Sequence, residues 1–194
     1  MLTDASGLIH HPDGCARCWW AGLDPVYVGY HDTEWGVPER DGRALYEKLI
    51  LDGFQAGLSW ITILRKRPAF RAAFAGFSID AVAEFDADDE ARLMADAGIV
   101  RNRAKITAAV RNARTAQQQP EGLSALLWSF APTGPRTRPA TLADVPATSP
   151  ESVAMARELK RRGFVFVGPT TAYALIQATG MVDDHVADCF RAFP

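Results

Sequence analysis

Along most of the chain, apolar positions recur three and four residues apart, the period of a helix with one buried face. Leu45, Leu49 and Ile50 mark a helix opened by Asp41-Gly42 and running to about Gln55. Ser59 opens another, with Ile61, Ile63 and Leu64, and Pro68 is expected to break it. Ser78 heads a helix with Ile79, Val82 and Phe85; Asp86 or Asp88 heads the next, which stops at Gly98. Residues 101–118 place Ile106, Ala109, Val110 and Ala113 on one face and basic side chains on the other. Leu123 to Phe130 reads as a short apolar helix. Ser149-Pro150 starts a helix to about Arg162, and Pro169 another that Gly180 stops. A last short helix is expected to carry His185 and Cys189. Strand alternation is absent beyond 164–167, so the pattern predicts an all-α fold.

Three stretches break the rhythm. Residues 1–14 read as a flexible polar extension before a single domain over 15–194. Residues 131–150 hold five prolines, the mark of a linker or long surface loop. Between two helices lies Asp52-Gly53-Phe54-Gln55-Ala56-Gly57-Leu58-Ser59-Trp60, an acid and an amide in an otherwise apolar run. A buried carboxylate is costly without a partner. Nearby backbone would satisfy it at an ordinary helix junction; a guest would satisfy it in a binding site.

Composition narrows the class. Hydrophobic residues make up 48% of 194, ordinary for a globular protein. No apolar run is long enough to span a membrane, and the N-terminus lacks the basic start and apolar stretch of a signal peptide. Three cysteines argue against a disulfide framework. A cytoplasmic protein is expected. The net charge of −2 does not advertise nucleic-acid binding, although Arg101–Lys105 and Lys160-Arg161-Arg162 are local basic runs.

Chemistry concentrates at the two ends. Cys18 and His31 are close in the N-terminal region, and His185 and Cys189 stand at i and i+4 near the C-terminus. Two thiols and two imidazoles suit a closed, structural zinc site that would clasp the chain ends. Cys15, in a C-x-x-C pair with Cys18, is an alternative sulfur. Trp19, Trp20, Tyr27, Tyr30 and Trp35 crowd a segment that reads as mostly irregular, with Trp60 beside the central acid. Stacked aromatics with one acid suit a planar, cationic guest. Residues 159–178 read as helix, tight apolar turn, helix. That hairpin would offer backbone N–H groups around Gly168 and Thr170 to a DNA phosphate, with Lys160 and Arg161 adding charge.

Taken together, Cys18-Trp19-Trp20, Tyr30 to Pro38, Gln55 to Thr62, Asp96 to Ile99, Arg162 to Gly168 and Asp184-His185-Val186 resemble the DNA-3-methyladenine glycosylase I family of the helix-hairpin-helix superfamily. The likeness covers about Arg17 to Arg191. It implies a two-lobed base-excision repair enzyme that acts, as a monomer, on double-stranded DNA and releases 3-methyladenine. It implies zinc at Cys18, His31, His185 and Cys189. It also implies a base pocket from Trp20, Tyr30, Trp60 and Asp52, the last with Tyr30 as the catalytic pair. Gly57 and Leu58 are implied to lie near the gap left in the duplex. One departure stands out: the family usually carries glutamate where this chain has Asp52. Asp183, fifteen residues past Gly168, is the second candidate acid, where the wider superfamily carries a catalytic aspartate.

Overall fold

The computed structural model describes residues 6–134 and 136–191; residues 1–5 of the N-terminal extension lie outside the described residues. Nine α-helices dominate among them: α1 Pro25–Thr33, α2 Gly42–Gln55, α3 Trp60–Ala73, α4 Ile79–Ala83, α5 Ala87–Ala95, α6 Arg103–Gln117, α7 Gly122–Trp128, α8 Pro150–Arg161 and α9 Pro169–Ala178. None is long and apolar enough to cross a membrane.

Most helix starts follow from side-chain capping, which satisfies orphan N–H groups at the first turn. Asp24 accepts from Val26 and Tyr27 and puts Pro25 in the first turn of α1. Asp41 accepts from the Ala44 N–H, Ser78 from Ala81 and Asn102 from Lys105. Asp86 and Asp89 form a reciprocal capping box, as do Ser149 and Ser152.

The core is built around α2, which packs against α3, α6, α7 and α9. Leu45, Tyr46, Leu49, Leu51 and Phe54 are buried on it. Phe54, Phe70, Phe74, Phe77 and Phe85 form a chain of ring contacts at centroid distances of 4.8 to 6.4 Å. Each buried aromatic of this kind contributes about 1.5–3 kcal/mol through burial alone. The end of α9 crosses the 36–38 segment closely. Gly180 has φ +68°, and a Cβ there would lie 2.5 Å from the Gly36 carbonyl oxygen, so only glycine fits.

Four features depart from the sequence reading. Leu8–His10 (β1) pairs antiparallel with Ala16–Cys18 (β2), in a two-stranded ribbon the alternation did not announce. Leu8 is buried there with Cys18, Val186 and Cys189 in a small second core. The aromatic-rich segment is more helical than expected, because Asp24 caps α1 through Thr33. α3 runs through Pro68 without a break, since Arg67 and Arg71 on either side both clasp buried Glu47. The short helix expected around His185 and Cys189 does not form; residues 183–190 are irregular, with a turn at 187–188, and Phe190 N–H donates to Ala16 O at 2.9 Å.

Candidate active site

A cavity of about 250 Å³ opens where α1, α2, α3 and α9 converge. That is below the ~300–1,000 Å³ of pockets for drug-sized ligands and suits one small planar guest. α2 contributes Asp52 and Gln55, α1 contributes Tyr27 and Tyr30, and Trp60 is the first residue of α3. Trp20 comes from the single turn Trp19–Ala21 that follows β2. It is the hub of an aromatic wall, with ring centroids 5.2 Å from Tyr27, 6.3 Å from Tyr30 and 5.0 Å from Trp35. Tyr30 in turn lies 5.5 Å from Trp60. α9 and the turns beyond it close the other side with Gln177, Asp184 and Val186.

Two polar atoms in this wall lack partners. Asp52 Oδ2 and Trp60 Nε1 are buried, and neither has a hydrogen bond among the described residues. Burial pushes the Asp52 carboxyl up to about 7, and the charge of Lys48, one turn earlier on α2, only partly offsets it. Lys48 is itself engaged: its Nζ donates to Glu34 at 2.6 Å and sits 5.5 Å from the Tyr30 ring centre. Glu34 also accepts from Arg67 at 2.7 Å. Burial works against the Glu34 charge, but Arg67 and Lys48 outweigh it and hold the carboxyl at about 2. Burial and the nearby Asp52 raise Tyr30 well above its ordinary value, so its hydroxyl stays protonated and acts as a donor. The wall therefore presents an acceptor and two donors on an aromatic surface.

Behind the aromatic wall, Cys18, His31 and Cys189 bring their ligand atoms within 4.8 Å of one another, all buried. Cys189 Sγ is 3.4 Å from His31 Nε2. The His185 ring stands edge-on to that of His31 at 5.0 Å. Each histidine directs Nδ1 to a carboxylate at 2.8 Å, His31 to Asp32 and His185 to Asp183. Carboxylates in that place fix the ring so that Nε2 ligates, the usual second layer of a metal centre. Contact between the thiols separates them: the hydrogen bond from Cys18 pulls Cys189 down, and the same contact pushes Cys18 up. Both thiolates together need a cation. Cys15 is not in this group, which removes it as the alternative sulfur.

The fold thus joins an aromatic base-sized cavity to a Cys–His–Cys cluster and a helical hairpin. Residues 19–192 match the family model described as methyladenine glycosylase. The chain belongs to the methyladenine glycosylase family. It is 46% identical over 177 residues to DNA-3-methyladenine glycosylase 1 of Escherichia coli (strain K12), covering 89% of this chain and 95% of that protein. A DNA-3-methyladenine glycosylase of Haemophilus influenzae (strain ATCC 51907 / DSM 11121 / KW20 / Rd) is 44% identical over 89% of this chain and 96% of its own length. A crystal structure of 3-methyladenine DNA glycosylase I superposes with a TM-score of 0.85 at 46% identity, covering 90% of this chain and 98% of that one. A single-residue variant of a 3-methyladenine DNA glycosylase I, solved in complex with 3-methyladenine, superposes with a TM-score of 0.84 at 35% identity, covering 90% and 96%.

In this methyladenine glycosylase, Trp20, Tyr30, Asp52 and Trp60 meet in one cavity. Gly57 and Leu58 sit in an exposed loop, Leu58 at 42% exposure, so Leu58 is not a core residue. Lys105 Nζ pins that loop by donating to Phe54 O at 2.9 Å and Ala56 O at 2.7 Å. Lys160, Arg161, Gly168 and Thr170 are exposed along the hairpin, with Arg161 paired to Glu158. The turn between them is braced by Asn112, which donates to Val165 O at 3.0 Å and accepts from Val165 N–H at 2.9 Å. Asp183 is tied to His185 and to Arg138 at 2.7 Å, while the carboxylate that lines the cavity is its neighbour Asp184. Asp184 is held by Tyr173 at 2.5 Å and Gln177 at 2.9 Å. Sequence reasoning missed Asp184 and Gln177, as well as Leu142 and Val145 from the proline-rich loop. Asp184 stood inside a motif already singled out; the other three carried no local signal.

Proposed function

We propose that this protein hydrolyses the N-glycosidic bond of 3-methyladenine in double-stranded DNA and releases the free base, acting as a base-excision repair glycosylase. The observation that carries this reading is the pair of unpartnered buried atoms, Asp52 Oδ2 and Trp60 Nε1, on the wall of an aromatic cavity of purine size. The family membership and the base-bound relative support it. Methylation at N3 gives the nucleotide base a positive charge, so the leaving base is neutral and needs no protonation. Water attacks C1′ and loses its proton to solvent, while the C1′–N9 electron pair passes to the base. The protein's task is to take the base out of the stack, surround it and orient it. Asp52 would accept from the exocyclic amine and balance the cation, and Trp20, Tyr30 and Trp60 would stack against it.

In this reading Cys18, His31, Cys189 and His185 hold one zinc ion. The mutual distances of Cys18, His31 and Cys189 support it, and His185 joins them through its ring, 5.0 Å from that of His31, and its Nδ1 held by Asp183. Four protein ligands make it a structural cross-link. The hairpin and the start of α9 would take DNA phosphates, and Leu58 would fill the gap left by the extruded nucleotide. A monomer working in the cytoplasm belongs to the same reading. The deciding experiment incubates the purified protein with N-methylated duplex DNA and identifies released bases by chromatography. Free 3-methyladenine is expected; a protein that binds the duplex and frees no base is a DNA-binding module instead.

A further inference from the structure

The family match begins at Trp19, yet the residues just before it reach the rim of the cavity. Trp19 N–H donates to Gly7 O at 2.9 Å, and Ser6 O accepts from Leu142 N–H at 3.2 Å. Gly7 has φ +89°, and a Cβ added there would lie 2.9 Å from Leu142 Cβ. A side chain at position 7 and Leu142 in its present place are therefore mutually exclusive. Leu142 and Val145 line the cavity, although both come from the proline-rich segment that reads as a linker.

That segment is anchored just ahead of the contact. Ala187 N–H donates to Pro139 O at 2.8 Å, and Arg138 pairs with Asp183. Thr141 and Asp144 close the turn Leu142–Asp144 with a reciprocal capping box. Leu142 is 42% exposed, but its backbone is held from outside by Ser6 and its side chain by Gly7. An exposed leucine on a loop normally repacks at little cost; this one is fixed at the mouth of a small cavity.

We propose that the Ser6–Gly7 corner and Leu142 form a size gate on the cavity, which admits a purine with a methyl substituent and rejects bulkier N-alkyl purines. The proposal rests on the reading of the cavity as a base pocket. Pockets discriminate by bulk through walls that cannot yield, and here the wall is pinned by an element upstream of the family core.

Intrinsic tryptophan fluorescence tests it, because Trp19, Trp20, Trp35 and Trp60 all line the cavity. Free 3-methyladenine and free 3-benzyladenine are titrated into the parent, Leu142→Ala and Gly7→Ala proteins. The parent should prefer 3-methyladenine about 10-fold or more. Both variants should lose most of that preference, and the double variant should add little to either. An unchanged preference in both variants overturns the gate. Leu142 is exposed, so Leu142→Ala decides alone if Gly7→Ala, buried and strained at φ +89°, fails to fold. Release of 3-methyladenine from methylated DNA separates the two readings. Release with unchanged preference sinks the gate only. Neither release nor 3-methyladenine binding by the parent sinks the base pocket and the gate with it.

Discussion

Replacing Asp52 with asparagine should stabilise the empty protein in neutral and alkaline solution while crippling excision. The carboxyl ordinarily titrates at 3.8 and is pushed up to about 7 by burial. A group whose folded value is raised costs nothing at a pH below both values, where it is protonated folded and unfolded alike. As pH climbs, the unfolded chain ionises first and is favoured, so stability is lost up to the folded value and then levels off. Three pH units of displacement correspond to about 4 kcal/mol at the plateau. Between pH 5 and 8 the parent should lose about 2–3 kcal/mol relative to Asp52→Asn. The variant also buries an amide with few partners, a cost of about 1–3 kcal/mol that does not vary with pH. Urea unfolding of both proteins at half-unit pH steps therefore reads the difference between the curves, not either curve alone. In parallel, kcat/KM for 3-methyladenine release should fall as pH drops through about 7 in the parent, because the cationic base needs the ionised carboxylate. A constant difference between the unfolding curves, with excision by Asp52→Asn at the parental rate, would refute the reasoning.

The other expectations are simpler. Leu58→Ala should leave the melting temperature within a few degrees of the parent, since Leu58 is exposed, yet slow excision from duplex more than from single strands; a large drop in melting temperature would return Leu58 to the core. Lys160→Ala with Arg161→Ala should weaken binding to any duplex and lower the slope of affinity against salt, and an unchanged slope would place the DNA on another surface. The Glu158 partner makes the Arg161 share of that effect the smaller one. Metal analysis should find one zinc per chain, and Cys189→Ala should lose both the metal and the fold around Trp20; folded, active protein without zinc would defeat the assignment. Asp183→Asn should keep excision near parental and weaken metal retention, because Asp183 orients His185 and pairs with Arg138.

Helices were legible because their signals are local. Asp41, Ser78, Asn102 and Ser149 cap the helices that follow them, and buried apolar residues keep the helical period. Pro68 misled because the pull of Glu47 on Arg67 and Arg71 comes from another helix. The ribbon of β1 and β2 was invisible because three-residue strands carry too little alternation. His185 and Cys189 were placed near one another for the wrong reason: irregular backbone, not a helical face, brings both to His31. The cavity's acid was legible as an anomaly in an apolar run. Its outer wall was not, because Leu142 is held at the site by contacts with Ser6 and Gly7, more than a hundred residues away, and by the bonds of Arg138 and Pro139 to residues 183–187.

The meeting of the two chain ends also sets when the site can exist. Trp20 belongs to the aromatic wall of the cavity, but its backing is Cys18, Val186 and Cys189, contributed by the first and the last parts of the chain. Ribosomes deliver residues in order, at about 5–20 per second, and earlier segments fold as they emerge. Helices α1–α7 around α2 are made well before residue 189. The backing of Trp20 must wait for residues 186–189 to clear the exit tunnel. A chain cut short of residue 183 therefore carries helices and the 159–178 hairpin without a finished pocket, so base recognition waits until residue 189 has been made.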